Sequence, residues 1–191
     1  MGYVFHAKKA AQLVGCLMRV AGKQQVNIMW ILKLLYLADR ESLRETGRPI
    51  SGDSHVAMPH GPVLSAIYDL TKTAADFPPP GDDPGADLWR AHFRRAHHDL
   101  ELVADPGDEK LSPYEEDVIR RVYERYGERS PFALRDLTHE LPEWRNNEVG
   151  DSSAPISIED ILEAVGREDL VDEARQQARE EAYFDRIFHA Q

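Results

Sequence analysis

Apolar positions are densest in the stretch Asn27-Ile-Met-Trp-Ile-Leu-Lys-Leu-Leu-Tyr-Leu-Ala-Asp39, which runs on to Thr46 before Gly47-Arg48-Pro49. At helical spacing Ile28, Ile31, Leu32 and Leu35 share one face and Trp30, Leu34 and Leu37 another, so the first three turns are apolar nearly all round. A helix of that kind is enclosed by its neighbours. Asn27 can accept from the first free N–H groups, Gly47 suits the left-handed residue after a helix, and Pro49 prevents continuation. The pattern predicts a buried central helix of about twenty residues. Lys33 and Asp39 interrupt its surface. Ionised groups in such a setting must snorkel, pair or do chemistry, and the ordinary expectation for Lys33 is a carboxylate partner such as Asp39 or a reach to solvent.

Other elements follow from the same patterning. Ala10, Leu13, Val14, Leu17, Met18 and Ala21 recur at three-to-four spacing and predict an amphipathic helix over 7–21, stopped at Gly22. Residues 52–58, bounded by Gly and Pro, alternate as a strand. His60-Gly61-Pro62 then opens a further element, and Val63, Leu64, Ile67, Tyr68 and Leu70 predict a helix starting at Pro62. Phe77 to Asp87 holds four prolines, two glycines and three aspartates, a composition for an exposed loop. Trp89, Ala91 and Phe93 alternate with polar residues, as do Leu100 and Leu102, which predicts a hairpin turning at 96–99 and joining 54–58 in one small antiparallel sheet. Ser112-Pro-Tyr-Glu115 and Ser157-Ile-Glu-Asp160 have the form of capping boxes, and Ser130-Pro131 is a third helix start. The last helix, 168–188, is charged, with a thin stripe of Val171, Ala174, Ala178 and Ala182. The fold class is therefore α+β and mostly helical: one domain over 1–191, built around the central helix.

Composition narrows what such a domain does. The chain has 191 residues, 42% of them hydrophobic, enough for a self-sufficient core. Its longest apolar run is broken by Lys33 and falls short of the roughly 18 residues that span a bilayer. With no secretory or myristoylation signal at the start, the expected location is the cytoplasm. Cys16 is the single cysteine, placed as a small buried hydrophobe, so no disulfide framework exists. A formal charge of -11 repels phosphate and argues against nucleic-acid binding.

The chain also lacks the usual catalytic signatures. Neither a P-loop nor a dinucleotide-binding glycine pattern is present, and there is no Gly-x-Ser-x-Gly elbow. His139-Glu140 begins like a zincin helix, but Glu143 stands where the second His is needed and Pro142 breaks the helix. His97 and His98 are adjacent and point to opposite faces of an extended segment. His55 and His60 could converge with Asp39 or Asp53 on a metal ion, and Asp39, Glu41, Asp53 and His60 could form an acid–base set, though no dense ligand cluster appears, and no cofactor or metal is expected. His60 either packs at a helix start or faces a partner. Trp144, in the irregular segment Leu141-Pro-Glu-Trp-Arg-Asn-Asn147, is a candidate interface anchor.

Taken in order, Lys33-Leu-Leu-Tyr36-Leu-Ala-Asp39, Gly47-Arg-Pro-Ile50, Ala57-Met-Pro-His60-Gly61-Pro62-Val63, Tyr68, Leu137-Thr-His139 and Pro142-Glu-Trp144 resemble the SocA-type antitoxin family, also called the Panacea domain, over roughly residues 10–165. The resemblance implies a mostly helical domain with a small sheet, encoded beside a toxin and neutralising it by direct protein contact, either by occlusion or as an adaptor that presents it to a protease. It brings no catalytic residues. Lys33, Tyr36, Asp39, His60, Gly61, Pro62, Tyr68 and Trp144 are accordingly the candidates for partner binding or for the structural motif. The alternative is a small enzyme or ligand-binding protein using a cleft of Lys33, Asp39 and His60, which requires those three to converge.

Overall fold

A computed structural model describes residues 3–73 and 84–188. Helix α1 (Ala7–Ala21) and the short strand β1 (Gln25–Asn27) lead into α2 (Ile28–Thr46). On α2 every residue from Trp30 to Asp39 is buried. The Asn27 side chain accepts from the Met29 N–H at 3.0 Å, and Gly47 closes the helix at φ 73°. After α2 come β2 (His55–Ala57), β3 (Val63–Leu64), α3 (Ser65–Thr73), α4 (Pro84–His92), β4 (Phe93–Ala96) and β5 (Asp99–Leu102). The second half holds α5 (Pro113–Tyr126), α6 (Pro131–His139), α7 (Pro142–Arg145), β6 (Ala154–Ile156), α8 (Ile158–Ala164), a 3-10 turn (Glu168–Leu170) and α9 (Val171–Phe188). Helices α1, α5, α6 and α8 pack around α2. Each large aliphatic side chain it buries contributes roughly 1.5–3 kcal/mol against leaving it in water. The central helix is therefore the axis of the core, as its all-round apolar pattern predicts.

The small sheet of the sequence reading is two sheets. One has the order β1-β5-β4 and the other β3-β2-β6, both antiparallel. Strands β1 and β6 have three residues each, too short to carry an alternation signal, and both are specified by their partners: Val26 opposite Leu100, and His55 opposite Ile156. The predicted hairpin is present over 93–102, but residues 89–92 belong to α4. Ala86, Trp89 and Phe93 are all buried and lie three and four apart, so the helical period explains them as well as alternation does. Tight packing of the Trp89 ring on Phe93, 4.5 Å between centroids, decides for the helix. Of the proline-rich loop expected over 77–87, residues 77–83 lie outside the described residues, while Pro84–Asp87 open α4 rather than continuing a loop.

Helix α3 also starts later than Pro62 predicts. Val63 and Leu64 pair with Val56 and His55, and the helix begins at Ser65. Its cap comes from elsewhere: the Asp53 carboxylate accepts from the Ala66 and Ile67 N–H groups, each at 2.9 Å. Both capping boxes form as predicted, Ser112 with Glu115 and Ser157 with Asp160. Leu141 to Asn147 is not irregular throughout, since Pro142–Arg145 make the single turn α7.

Candidate functional site

Two polar features and a largely apolar cavity at its N-terminal end lie along α2. Near its C-terminal half Asp39 is fully buried and saturated with donors. It accepts from the N–H groups of Ile50 and Ser51, both at 2.9 Å, and from the Ser51 hydroxyl, while His55 Nε2 lies 3.0 Å away. Asp39 is thereby the anchor that folds the Gly47-Arg-Pro-Ile50 turn back onto the helix and fixes the start of β2. Beside it, Tyr36 is buried, meets the His55 ring edge-on at 5.7 Å, and donates to Glu143 at 3.2 Å. Glu143 is 1% exposed and accepts from Arg40 Nε at 2.6 Å. Burial pushes the Tyr36 hydroxyl well above its ordinary pKa, with the Glu143 carboxylate next in effect, so it stays a donor. These residues tie α7 to α2.

One turn and a half N-terminal to Asp39, Lys33 has a different setting. It is 1% exposed, and its Nζ donates to the Pro62 carbonyl at 2.7 Å. The expected carboxylate pairing does not occur, because six residues along a helix place Asp39 on another face and its oxygens are taken by the 50–55 segment. Burial alone depresses the Lys33 amine from 10.5 to about 7. Gly61, at φ 89°, closes over it: a Cβ there would fall 2.9 Å from Lys33 Nζ and 2.7 Å from Thr138 Oγ1. Here the glycine is required by both space and backbone conformation. On its far side His139 stacks face to face on Trp144 at 4.1 Å, and Trp144 Nε1 donates to the Met58 carbonyl at 3.0 Å. Burial, and next the Lys33 charge, hold the His139 pKa below its usual value.

Lys33, His60, Gly61 and Tyr68 line one cavity of about 540 Å³. Asn27, Ile28, Met29 and Leu32 of the α2 N-terminus, Met58, Val63, and Arg95 and His98 of the β4–β5 hairpin complete much of its wall, with Phe132, 62% exposed, at its edge. The hairpin turn, where His97 takes φ 58°, is clasped to α2 by a bond from the Ile28 N–H to the His98 carbonyl at 2.8 Å. Of the eight candidates, four thus line the cavity and Pro62 supplies its lysine with an acceptor. Tyr36 and Asp39 are buried anchors away from it, and Trp144 is half-buried beneath the Met58–Pro62 turn. Lys33, Asp39 and His60 do not converge, so the acid–base cleft is not assembled. Among the described residues no cluster of three His, Cys, Asp or Glu side chains could hold a metal, and no helix is long and apolar enough to cross a membrane.

Residues 31–145, more than half of the chain, match the family described as "Antitoxin SocA-like, Panacea domain". The chain belongs to this SocA-like antitoxin family. The match begins within α2 and ends at α7, so it contains the Asp39 anchor, the Lys33–Pro62 contact and the Thr138–Trp144 support. Neither the curated proteins nor the solved structures include a match to the chain. Glu143 and Phe132 are the residues that sequence reasoning passed over. Glu143 stands inside the Pro142-Glu-Trp144 motif, yet a carboxylate reads as solvated until its partners are known. Phe132 follows Ser130-Pro131 and reads as part of a helix's apolar face.

Proposed function

We propose that this chain is the antitoxin of a toxin–antitoxin pair and neutralises its cognate protein toxin by direct binding. Membership of the SocA-like antitoxin family carries this reading, and the geometry supports binding over turnover. The Asp39 carboxylate is spent on internal contacts with Ile50, Ser51 and His55, and Lys33 and His60 line a cavity that Asp39 does not reach. The toxin-facing surface is the cavity mouth, where exposed Phe132 and His60 and half-buried Tyr68 come from three different segments that the core holds fixed. An exposed aromatic at the edge of an apolar depression is the usual form of an interface anchor.

The test is co-expression with the product of the adjacent gene, followed by growth and pull-down assays. The expected result is rescued growth and a stable complex, both lost in Phe132→Asp and kept in Phe184→Ser, a change at another exposed aromatic, on α9. A neighbour that is harmless and does not bind sinks the antitoxin reading. Loss of the complex in Phe184→Ser alone moves the interface to α9. The toxin's half-life on co-expression separates occlusion, which leaves it unchanged, from presentation to a protease, which shortens it.

A further inference from the structure

Independently of any toxin, the cavity has a chemical character unlike the rest of the molecule. The chain carries a net charge of -11, yet among the described residues the ionisable side chains lining this cavity are Lys33, His60, Arg95, His98 and Tyr68, with no carboxylate. Its remaining wall is largely apolar, and its volume of about 540 Å³ lies in the roughly 300–1,000 Å³ range of small-ligand sites. At its floor Lys33 has three donors and uses one on the Pro62 carbonyl. A buried ammonium without an acidic partner is an uncompensated charge, costly until an anion meets it. Gly61 lets the backbone of the turn approach Nζ closely, and the first residues of α2, Ile28 and Met29, bring the positive end of a 19-residue helix to the same wall.

We propose that this cavity is a binding site for a small organic acid, an aromatic or aliphatic group whose carboxylate pairs with Lys33 while its apolar body lies between Leu32, Met58 and Tyr68. Arg95 and His98 add positive potential at the hairpin side and His60 at the turn side. The carboxylate supplies the counter-charge that the fold omits, so binding draws a proton onto the amine. The site is consequently strongest below neutral pH and weakens as the pH rises, with the neighbouring His139 imidazole, held below its usual pKa by burial and next by the Lys33 charge, facing the same amine.

The probe is 3-phenylpropionate, titrated calorimetrically into the purified full chain at pH 6 and pH 8.5, against 3-phenylpropan-1-ol as the uncharged counterpart. At pH 6 the acid should bind at least about tenfold more tightly than the alcohol, the worth of one charge-assisted hydrogen bond. That preference should shrink at pH 8.5 and vanish in Lys33→Met. Arg95→Ala, a change at a hairpin residue outside the core, should weaken the acid a few-fold and the alcohol not at all, which keeps the test decisive if Lys33→Met fails to fold. Equal binding of acid and alcohol, binding of neither, or an acid preference that survives Lys33→Met overturns the proposal. Capture of a peptide ending in phenylalanine through its terminal carboxylate, with no binding of the free acid, assigns the cavity to a partner chain and overturns it as well.

Discussion

Lys33 and Asp39 sit on one helix, equally buried, and resolve the problem of an ionised group in the core in opposite ways. Asp39 collects two backbone donors, a hydroxyl and an imidazole, so its charge is spread over a network that also shapes the next turn of chain. Lys33 has one neutral acceptor and gives way by lowering its pKa to about 7. In the unfolded chain the amine titrates near 10.5, so between the two values the unfolded state binds more protons than the folded state. Stability therefore rises with pH across that window: the burial cost is full below pH 7 and gone above 10.5. The shift corresponds to as much as about 5 kcal/mol. The difference in urea-unfolding free energy between Lys33→Met and the parent chain should accordingly change by several kcal/mol between pH 6 and pH 10, in favour of the parent at alkaline pH. A difference that stays flat would mean that Lys33 finds an acid in the folded state.

Helices that carry their own punctuation behave as independent units. In α5 the Ser112 hydroxyl accepts from the Glu115 N–H and the Glu115 carboxylate accepts from the Ser112 N–H. Ser112→Ala should cost about 1 kcal/mol, read from urea unfolding, with the cavity and its ligand preference untouched. This local sufficiency is also why α2, α5, α6 and α8 are legible in the sequence, since cap, period and stop lie within one segment; α1, without a side-chain cap, is legible from its period and the Gly22 stop alone. Helix α3 is not, because its cap is Asp53, donated from a loop that reaches it through the β2–β3 pairing. Strands β1 and β6 and the helical state of Trp89 depend likewise on residues distant in sequence. The site divides the same way. Lys33, His60, Gly61 and Tyr68 stand out as motif residues, but the Thr138 and His139 side chains that pack on Gly61, and the buried Glu143, acquire their roles only from the approach of α6 and α7 to α2.

At the scale of the whole molecule, the acidic surface bears on how the chain meets a partner. A basic toxin approaching it is steered, and raising salt from about 50 to 500 mM should slow association by an order of magnitude or more while leaving dissociation nearly unchanged. Stopped-flow mixing would show this, and an association rate indifferent to salt would mean that the acidic surface does not steer the encounter. The distribution of strands has a different consequence. The family match spans 31–145, but β2 takes its outer neighbour from Ala154–Ile156, and α2 is walled by α1 on one side and α8 on another. A gene fusion or recombination event that moved only the matched stretch would carry every recognisable motif while stripping the sheet of an edge and the central helix of two walls. The heritable unit of this protein is longer than its signature.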